Sequence, residues 1–287
     1  MRRVRLFCIA LSVLFLLVQG AHADALRVTP EWLKAHLQDE NLVILDTRPH
    51  VEYEIDHIAG ALSFPETLTY QQKTSGGQIV EADIMQNLLR ERGVDYGELI
   101  VVYDGGQLID ASRLFWALEV YGLQKVKVLN RGYDHWVRNE YPVTSLVPAI
   151  KPSKYVVSID HRRIASKFST QLATANPQQI IVDARSAESY QGKTSTAARF
   201  GHIPKAINIP ATLNIEDTGG IKALKNFEEL KQLYSGLPPN QKVVAYCEIG
   251  RVSSTVYLAL RELGYDVANY DASWREWGND LNLPIEK

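Results

Sequence analysis

From residue 26 onward the apolar positions alternate between two spacings. Short continuous runs, "LVILD" ending at Asp46 and "LIVVYD" ending at Asp104, separate segments whose apolar residues recur at helical intervals, such as "ADIMQNLLRERG" and "ASRLFWALEVYG". The opening helix is signalled by "TPEWLKAHL", with Thr29 as cap and Pro30 at the first helical position. Continuous apolar runs between amphipathic helices imply parallel strands buried on both faces.

The pattern then occurs a second time in the same order. "SIDHRRIASKF", "IIVDARSAESY", "GHIPKAINIP", "NFEELKQLYSG", "KVVAYC", "SSTVYLALRELG" and "VANYDASWREW" match segments of the first half one by one. The expected fold class is therefore α/β, with two tandem domains, each a parallel sheet flanked by helices. Between them "PVTSLVPAIKPSK", with Pro142, Pro148 and Pro152, reads as an extended linker. We place the domains at 24–146 and 147–287.

Residues 1–23 stand apart from this pattern. "MRRVR" is a positive start, Leu6–Val18 is a 13-residue apolar run, and "AHA" supplies a small-x-small cleavage signal. A spanning helix needs about 20 apolar residues, so the expectation is a secretory signal cleaved before Asp24 and an exported, periplasmic protein with no membrane attachment once mature. Loss of Arg2, Arg3 and Arg5 takes the 31 basic residues to 28 against 33 acidic ones, a net charge of −5. With 46% hydrophobic and 22% charged residues the composition is globular, and the absence of a basic block argues against a nucleic-acid partner.

Of the two cysteines, Cys8 leaves with the signal, and Cys247 remains alone. An unpaired cysteine in an exported protein is a reactive thiol, an intermolecular link or an inert buried side chain. Its surroundings favour the first. Cys247 ends a strand, the loop "EIGRV" can only curl, Gly250 permits the curl, and a helix starts near Ser253 and stops at Gly264. Amide hydrogens at such a turn, with the positive end of a helix behind them, favour a sulfur anion. At the matching position of the first half stands Asp104, in a loop one residue longer.

The tandem arrangement, "GHIPKAINIP", "DARSAESY", the "YC" loop and "YDASWREWG" together resemble the two-domain rhodanese family of sulfurtransferases over about residues 26–287. The resemblance implies two rhodanese-like domains, the first lacking the cysteine. It implies transfer of a sulfane sulfur from thiosulfate or 3-mercaptopyruvate, through a Cys247 persulfide, to cyanide or a thiol. No cofactor and no metal are called for. Arg185, from "DAR", is expected to bind the donor's anionic end, although Arg48 repeats it in the thiol-free half. The loop residues Glu248, Ile249, Gly250, Arg251 and Val252 would contact the substrate, and Asp271 and Ser273 would brace the loop.

The loop departs from the family at two positions. Thiosulfate-using members carry two basic residues after the cysteine and mercaptopyruvate-using members small ones; here stand Glu248 and Ile249. A carboxylate there opposes a doubly charged donor, and Arg251 either restores positive charge or pairs with Glu248 at the surface. Cysteine phosphatases place an arginine six positions after the cysteine, where this chain has Ser253, which argues against that chemistry. His202 reads as a turn residue rather than a proton carrier, and "QGKTSTAARF" as a solvated insertion. The alternative to a turnover enzyme is a persulfide carrier that hands sulfur to a partner protein.

Overall fold

The computed structural model describes residues 25–71 and 77–287; the expected signal segment lies outside them. No helix of the described residues is long and apolar enough to cross a membrane. Two five-stranded parallel sheets form, one per half. The first runs Arg27–Val28, Val126–Leu129, Leu99–Tyr103, Leu42–Asp46, Ala61–Ser63, and the second Ile164–Ala165, Val267–Tyr270, Lys242–Tyr246, Gln179–Asp183, Ile207–Asn208. The spatial order is the same, as the repeated pattern requires. In each centre strand, Leu99–Tyr103 and Lys242–Tyr246, the four residues after the first are buried, which is why these stretches read as unbroken apolar runs.

The caps fall where the sequence puts them. Thr29 Oγ1 accepts from the Trp32 amide ahead of the helix Pro30–His36, and Ser166 forms a capping box ahead of Lys167–Ala175. Helix Ser253–Glu262 follows the cysteine loop, and Gly264, at φ +83°, closes it.

The two halves meet through a buried, core-like seam. Helix Ile109–Val120 has ten of its twelve residues buried, and Ser253–Glu262 nine of its ten. A helix buried all round needs cover on both sides. Here the sheet covers one side and the other half's helix the second. Phe115 packs on Tyr257 at 6.3 Å between ring centroids, and the Tyr257 hydroxyl donates to Glu119, which also takes Arg261 at 2.8 Å. Leu118, Val256 and Leu260 belong to one apolar cluster that spans both halves.

Two features were not foreseen in the sequence. The antiparallel hairpin Ile215–Thr218/Ile221–Leu224 reaches back onto the first half, where the Lys222 amide donates to the Gly106 carbonyl at 2.8 Å. The proline-rich connection is strapped down rather than free. Its Ser153 amide donates to the Arg90 carbonyl, and the Tyr155 ring is fully buried.

Candidate active site

Strand Lys242–Tyr246 delivers Cys247 to the seam, where its side chain is almost wholly buried. The loop is held from outside as well as by its own turn. The Trp274 and Arg275 amides donate to the Cys247 and Glu248 carbonyls at 3.0 and 2.9 Å. Ser273 Oγ accepts the Cys247 and Gly250 amides at 3.1 and 3.0 Å and donates to the Tyr270 carbonyl at 2.7 Å. Gly250 sits at φ +71°, and a Cβ there would lie 2.4 Å from the Asp271 carbonyl oxygen, so only glycine fits. Among the described residues no acceptor takes the amide hydrogens of Ile249, Arg251 or Val252.

The first half shows what this cradle does with an anion. Asp104 Oδ1 accepts the Gly106 and Gln107 amides at 2.9 and 3.1 Å, and its Oδ2 accepts those of Asp110 and Ala111 at 3.2 and 3.4 Å. Burial nevertheless pushes the Asp104 carboxyl above its ordinary value. In the second half a sulfur stands at the matching strand end. Ser253 Oγ lies 3.4 Å from Cys247 Sγ and 2.7 Å from Asn269 Oδ1, while Asn269 Nδ2 holds the Gly250 carbonyl at 2.9 Å. One hydroxyl proton cannot serve both contacts. The amide oxygen takes it beside a thiol, and an anionic sulfur, the stronger acceptor, turns it.

Arg185 is placed by its own strand. Its Nε and Nη2 fork onto Asp183, with the Nη2 contact at 2.7 Å, and Nη2 also donates to the Gly201 carbonyl at 2.8 Å. Burial works against the charge, but the Asp183 carboxylate holds the guanidinium above its ordinary value. Arg48 repeats the arrangement with Asp46 and the Asp56 carbonyl, so the fork itself is structural in both halves. What distinguishes Arg185 is Nη1, which is buried and makes no hydrogen bond among the described residues. Its nearest charge is Glu248 Oε1 at 3.5 Å. The guanidinium also lies over the buried Trp274 ring, 4.4 Å from its centroid. Arg185, Glu248 and Val252 line a cavity of about 440 Å³ together with Ser186, Thr212 and Lys222.

The insertion "QGKTSTAARF" is not simply solvated. Thr196 Oγ1 donates to Glu248 Oε2 at 2.5 Å, Ser195 Oγ accepts the Trp274 indole at 3.1 Å, and Arg199 donates to the Gly278, Trp277, Leu283 and Asp280 carbonyls. It forms a lip whose inner edge holds Glu248.

Arg251 goes elsewhere. Its guanidinium pairs with Asp110 at 2.5 Å and Glu66 at 3.1 Å, both in the first half, and not with Glu248. The structure thus brings together Cys247, Gly250, Ser273, Arg185, Glu248 and Val252, and turns Arg251 into a tie between halves. Ile249 is a seam residue too, packed against the Gly77 backbone. His202 is a turn residue whose Nδ1 meets the Tyr190 carbonyl at 2.8 Å, with its ring stacked on Tyr190.

One residue of the site has no signature in the sequence. Arg113, from the thiol-free half, is wholly buried and donates to the Gly250 carbonyl at 3.1 Å, Asp271 Oδ1 at 3.2 Å, the Gly77 carbonyl at 3.1 Å and Thr69 Oγ1 at 3.2 Å. Tyr70 and Trp116 sandwich it at 4.4 Å each. Asp271, expected to brace the loop, does so through this arginine and through the Ile79 amide; burial pushes its carboxyl up against both. No sequence motif marks Arg113, because its partners in the second half, Gly250 and Asp271, lie 137 and 158 positions away.

Comparison with known proteins gives the family of the chain. The model of the rhodanese-like domain matches twice, at residues 29–139 and 165–280. A putative thiosulfate sulfurtransferase of Haloferax volcanii is 31% identical over 284 residues, covering 93% of this chain and 98% of the relative. Putative thiosulfate sulfurtransferase 1 of Mycobacterium bovis is 33% identical over 280 residues, covering 93% and 99%. Among solved structures, SseA of Escherichia coli, described as a 3-mercaptopyruvate sulfotransferase, superposes with a TM-score of 0.78 at 25% identity, covering 87% of this chain and 99% of that one.

Proposed function

The chain belongs to the rhodanese family, with the domain present twice, and from that membership we propose that it is a sulfurtransferase working through a persulfide on Cys247. The observation that carries this reading is the loop itself: a buried sulfur sits at the strand end where the other half offers four amide hydrogens to the Asp104 carboxylate. The Cys247 thiolate attacks the outer sulfur of thiosulfate. A bond forms between the two sulfurs, the donor's S–S bond breaks, and sulfite leaves with the electron pair. Cyanide or a thiolate then attacks the terminal sulfur and restores the Cys247 thiolate. Loop amides and the Ser253 hydroxyl stabilise the persulfide anion, and Arg185 Nη1 faces the donor's anionic end.

Of these two donors we favour thiosulfate over 3-mercaptopyruvate, on the names of the Haloferax volcanii and Mycobacterium bovis relatives and against the charge of Glu248. Steady-state thiocyanate formation with each donor tests this. Turnover with thiosulfate should be ping-pong and be lost in Cys247→Ser, and a large preference for the keto acid would overturn the choice. A persulfide carrier serving a partner protein is the second reading, favoured by the carboxylate of Glu248 beside Arg185. It predicts that Cys247 gains the mass of one sulfur atom without turnover. We further propose export, with cleavage before Asp24, on the strength of residues 1–23 alone; an N-terminus at Asp24 on the protein purified from a periplasmic fraction would bear this out.

A further inference from the structure

The mouth of the site contains a charge that a receptor for small dianions should not contain. Arg185 has three guanidinium nitrogens. Two are committed to Asp183 and the Gly201 carbonyl, and the third, Nη1, is buried with no hydrogen bond among the described residues. The group that faces it is not solvent but the Glu248 carboxylate, 3.5 Å away. That separation is an ion pair, too long for a good hydrogen bond, so Nη1 still has a proton to give to a tighter acceptor.

Glu248 is held there from behind. Thr196 Oγ1, in the insertion that the first half lacks, donates to its other oxygen. The first half offers a control, because Gly105 follows Asp104, so no carboxylate from the loop stands beside Arg48, whose Nη1 lies 3.9 Å from Asp56 and whose guanidinium stacks on the Tyr133 ring. The carboxylate is therefore a feature of the thiol-bearing mouth, built on two residues that are both particular to it.

We propose that Glu248 is the specificity-determining residue of this site, and that it selects small sulfur compounds with an ammonium group beside a carboxylate, the head of an amino-acid thiol or its persulfide. For the head to bind, the Glu248 carboxylate swings off the buried Nη1, so that the head's carboxylate takes Nη1 and its ammonium takes Glu248. The sulfur-bearing arm reaches past Glu248 toward its chain neighbour Cys247, which is itself buried behind the cavity wall. The cavity of about 440 Å³ lined by Ser186, Thr212, Val252 and Lys222 lies within the range of small-molecule sites. A dianion such as thiosulfate reaches the same nitrogen only against Glu248, so like-charge repulsion weakens it without blocking transfer. With a persulfide donor R–S–S⁻ the chemistry balances: the Cys247 thiolate attacks the terminal sulfur, a new S–S bond forms, the donor's own S–S bond breaks, and RS⁻ leaves with the electron pair and takes up one proton from solvent. When another donor has loaded Cys247, the amino-acid thiolate is instead the acceptor: it attacks the terminal sulfur of the Cys247 persulfide, that S–S bond breaks, and the Cys247 thiolate is restored.

This selection rests on Cys247 being the sulfur carrier, and the test separates the two claims. Acceptor KM would be measured for cysteine, cysteamine, 2-mercaptoethanol and 3-mercaptopropionate, and donor KM for thiosulfate, in the native chain, Glu248→Gln and Thr196→Val. In Glu248→Gln, the thiosulfate KM should fall about ten-fold and the cysteine KM should rise by a similar factor, with 2-mercaptoethanol unmoved, as one charge a few ångströms away dictates. Thr196→Val, which leaves the charge but frees the carboxylate, should shift both in the same directions by less. If Cys247 gains sulfur but every KM moves together, or none does, Glu248 selects nothing and the proposal fails alone. If the native chain gains no sulfur from any donor, the sulfurtransferase reading fails and the proposal goes with it.

Discussion

Arg113→Met is the sharpest test of how the two halves share the site. The wild-type guanidinium is fully buried and its four acceptors include the Gly250 carbonyl and the Asp271 carboxylate, itself only 10% exposed. Methionine keeps much of the stem's volume between Tyr70 and Trp116 but gives no donor. Removing one partner of a buried pair leaves the other charge uncompensated, at about 3–5 kcal/mol. For a chain of this size that is roughly ten degrees or more of melting temperature, at about 2–4 °C per kcal/mol. The deficit should depend on pH in a fixed direction. Burial already holds the folded Asp271 carboxyl above its ordinary 3.8, and Arg113 is among the groups that restrain the rise, so the substitution lifts it further. A carboxyl raised on folding contributes its stability below the unfolded pKa and loses it as pH climbs through the folded one. The variant should therefore be weakest near neutrality and regain ground as pH falls toward about 4. Asp271→Asn in the same background should restore part of the loss at pH 7, since an amide leaves no charge stranded. Thermal unfolding followed by circular dichroism at several pH values reads all of this. A loss under about 1 kcal/mol at pH 7, or a deficit that is flat with pH, would refute the view of Arg113 and Asp271 as one buried pair.

Two further substitutions divide the loop's geometry from its charge. Gly250→Ala forces a side chain into the left-handed region at about 1–2 kcal/mol and drives its Cβ to 2.4 Å from the Asp271 carbonyl oxygen. Turnover should fall at least ten-fold and the melting temperature should drop with it, since the clash is with backbone and adds to the strain; unaltered turnover would mean that the curl is not needed. Arg251→Met should cost less than about 1 kcal/mol, because that guanidinium is 40% exposed, and should leave the thiosulfate KM within about two-fold. A many-fold rise in KM would return Arg251 to the donor's anion and contradict its place in the seam.

What could be read from the sequence was what depends on near neighbours along the chain. The alternating runs gave both sheets, and Thr29, Pro30, Ser253 and Gly264 marked helix ends because caps act over a few residues. The loop from Cys247 to Ser253 and the bracing by Ser273 were legible for the same reason, the latter aided by family likeness. Arg113, Thr196 and the partners of Arg251 were not. Their contacts with the loop cross gaps of 52 to 185 positions, and nothing in a buried arginine's local sequence says that two of its acceptors lie in the other half. Arg251 shows the limit most clearly. Four residues from the thiol, it looked like a substrate ligand, yet the direction its side chain takes is decided by Asp110 and Glu66 of the other half.

Asp104 has a consequence for how such a protein changes over generations. A copy that lost its thiol would ordinarily be left with a knot of unanswered amide protons under its central helix, and would decay. Here a tethered carboxylate answers them permanently, so the copy could abandon chemistry while keeping its shape. The half that carries Asp104 thus serves as the wall against which the thiol-bearing half is built.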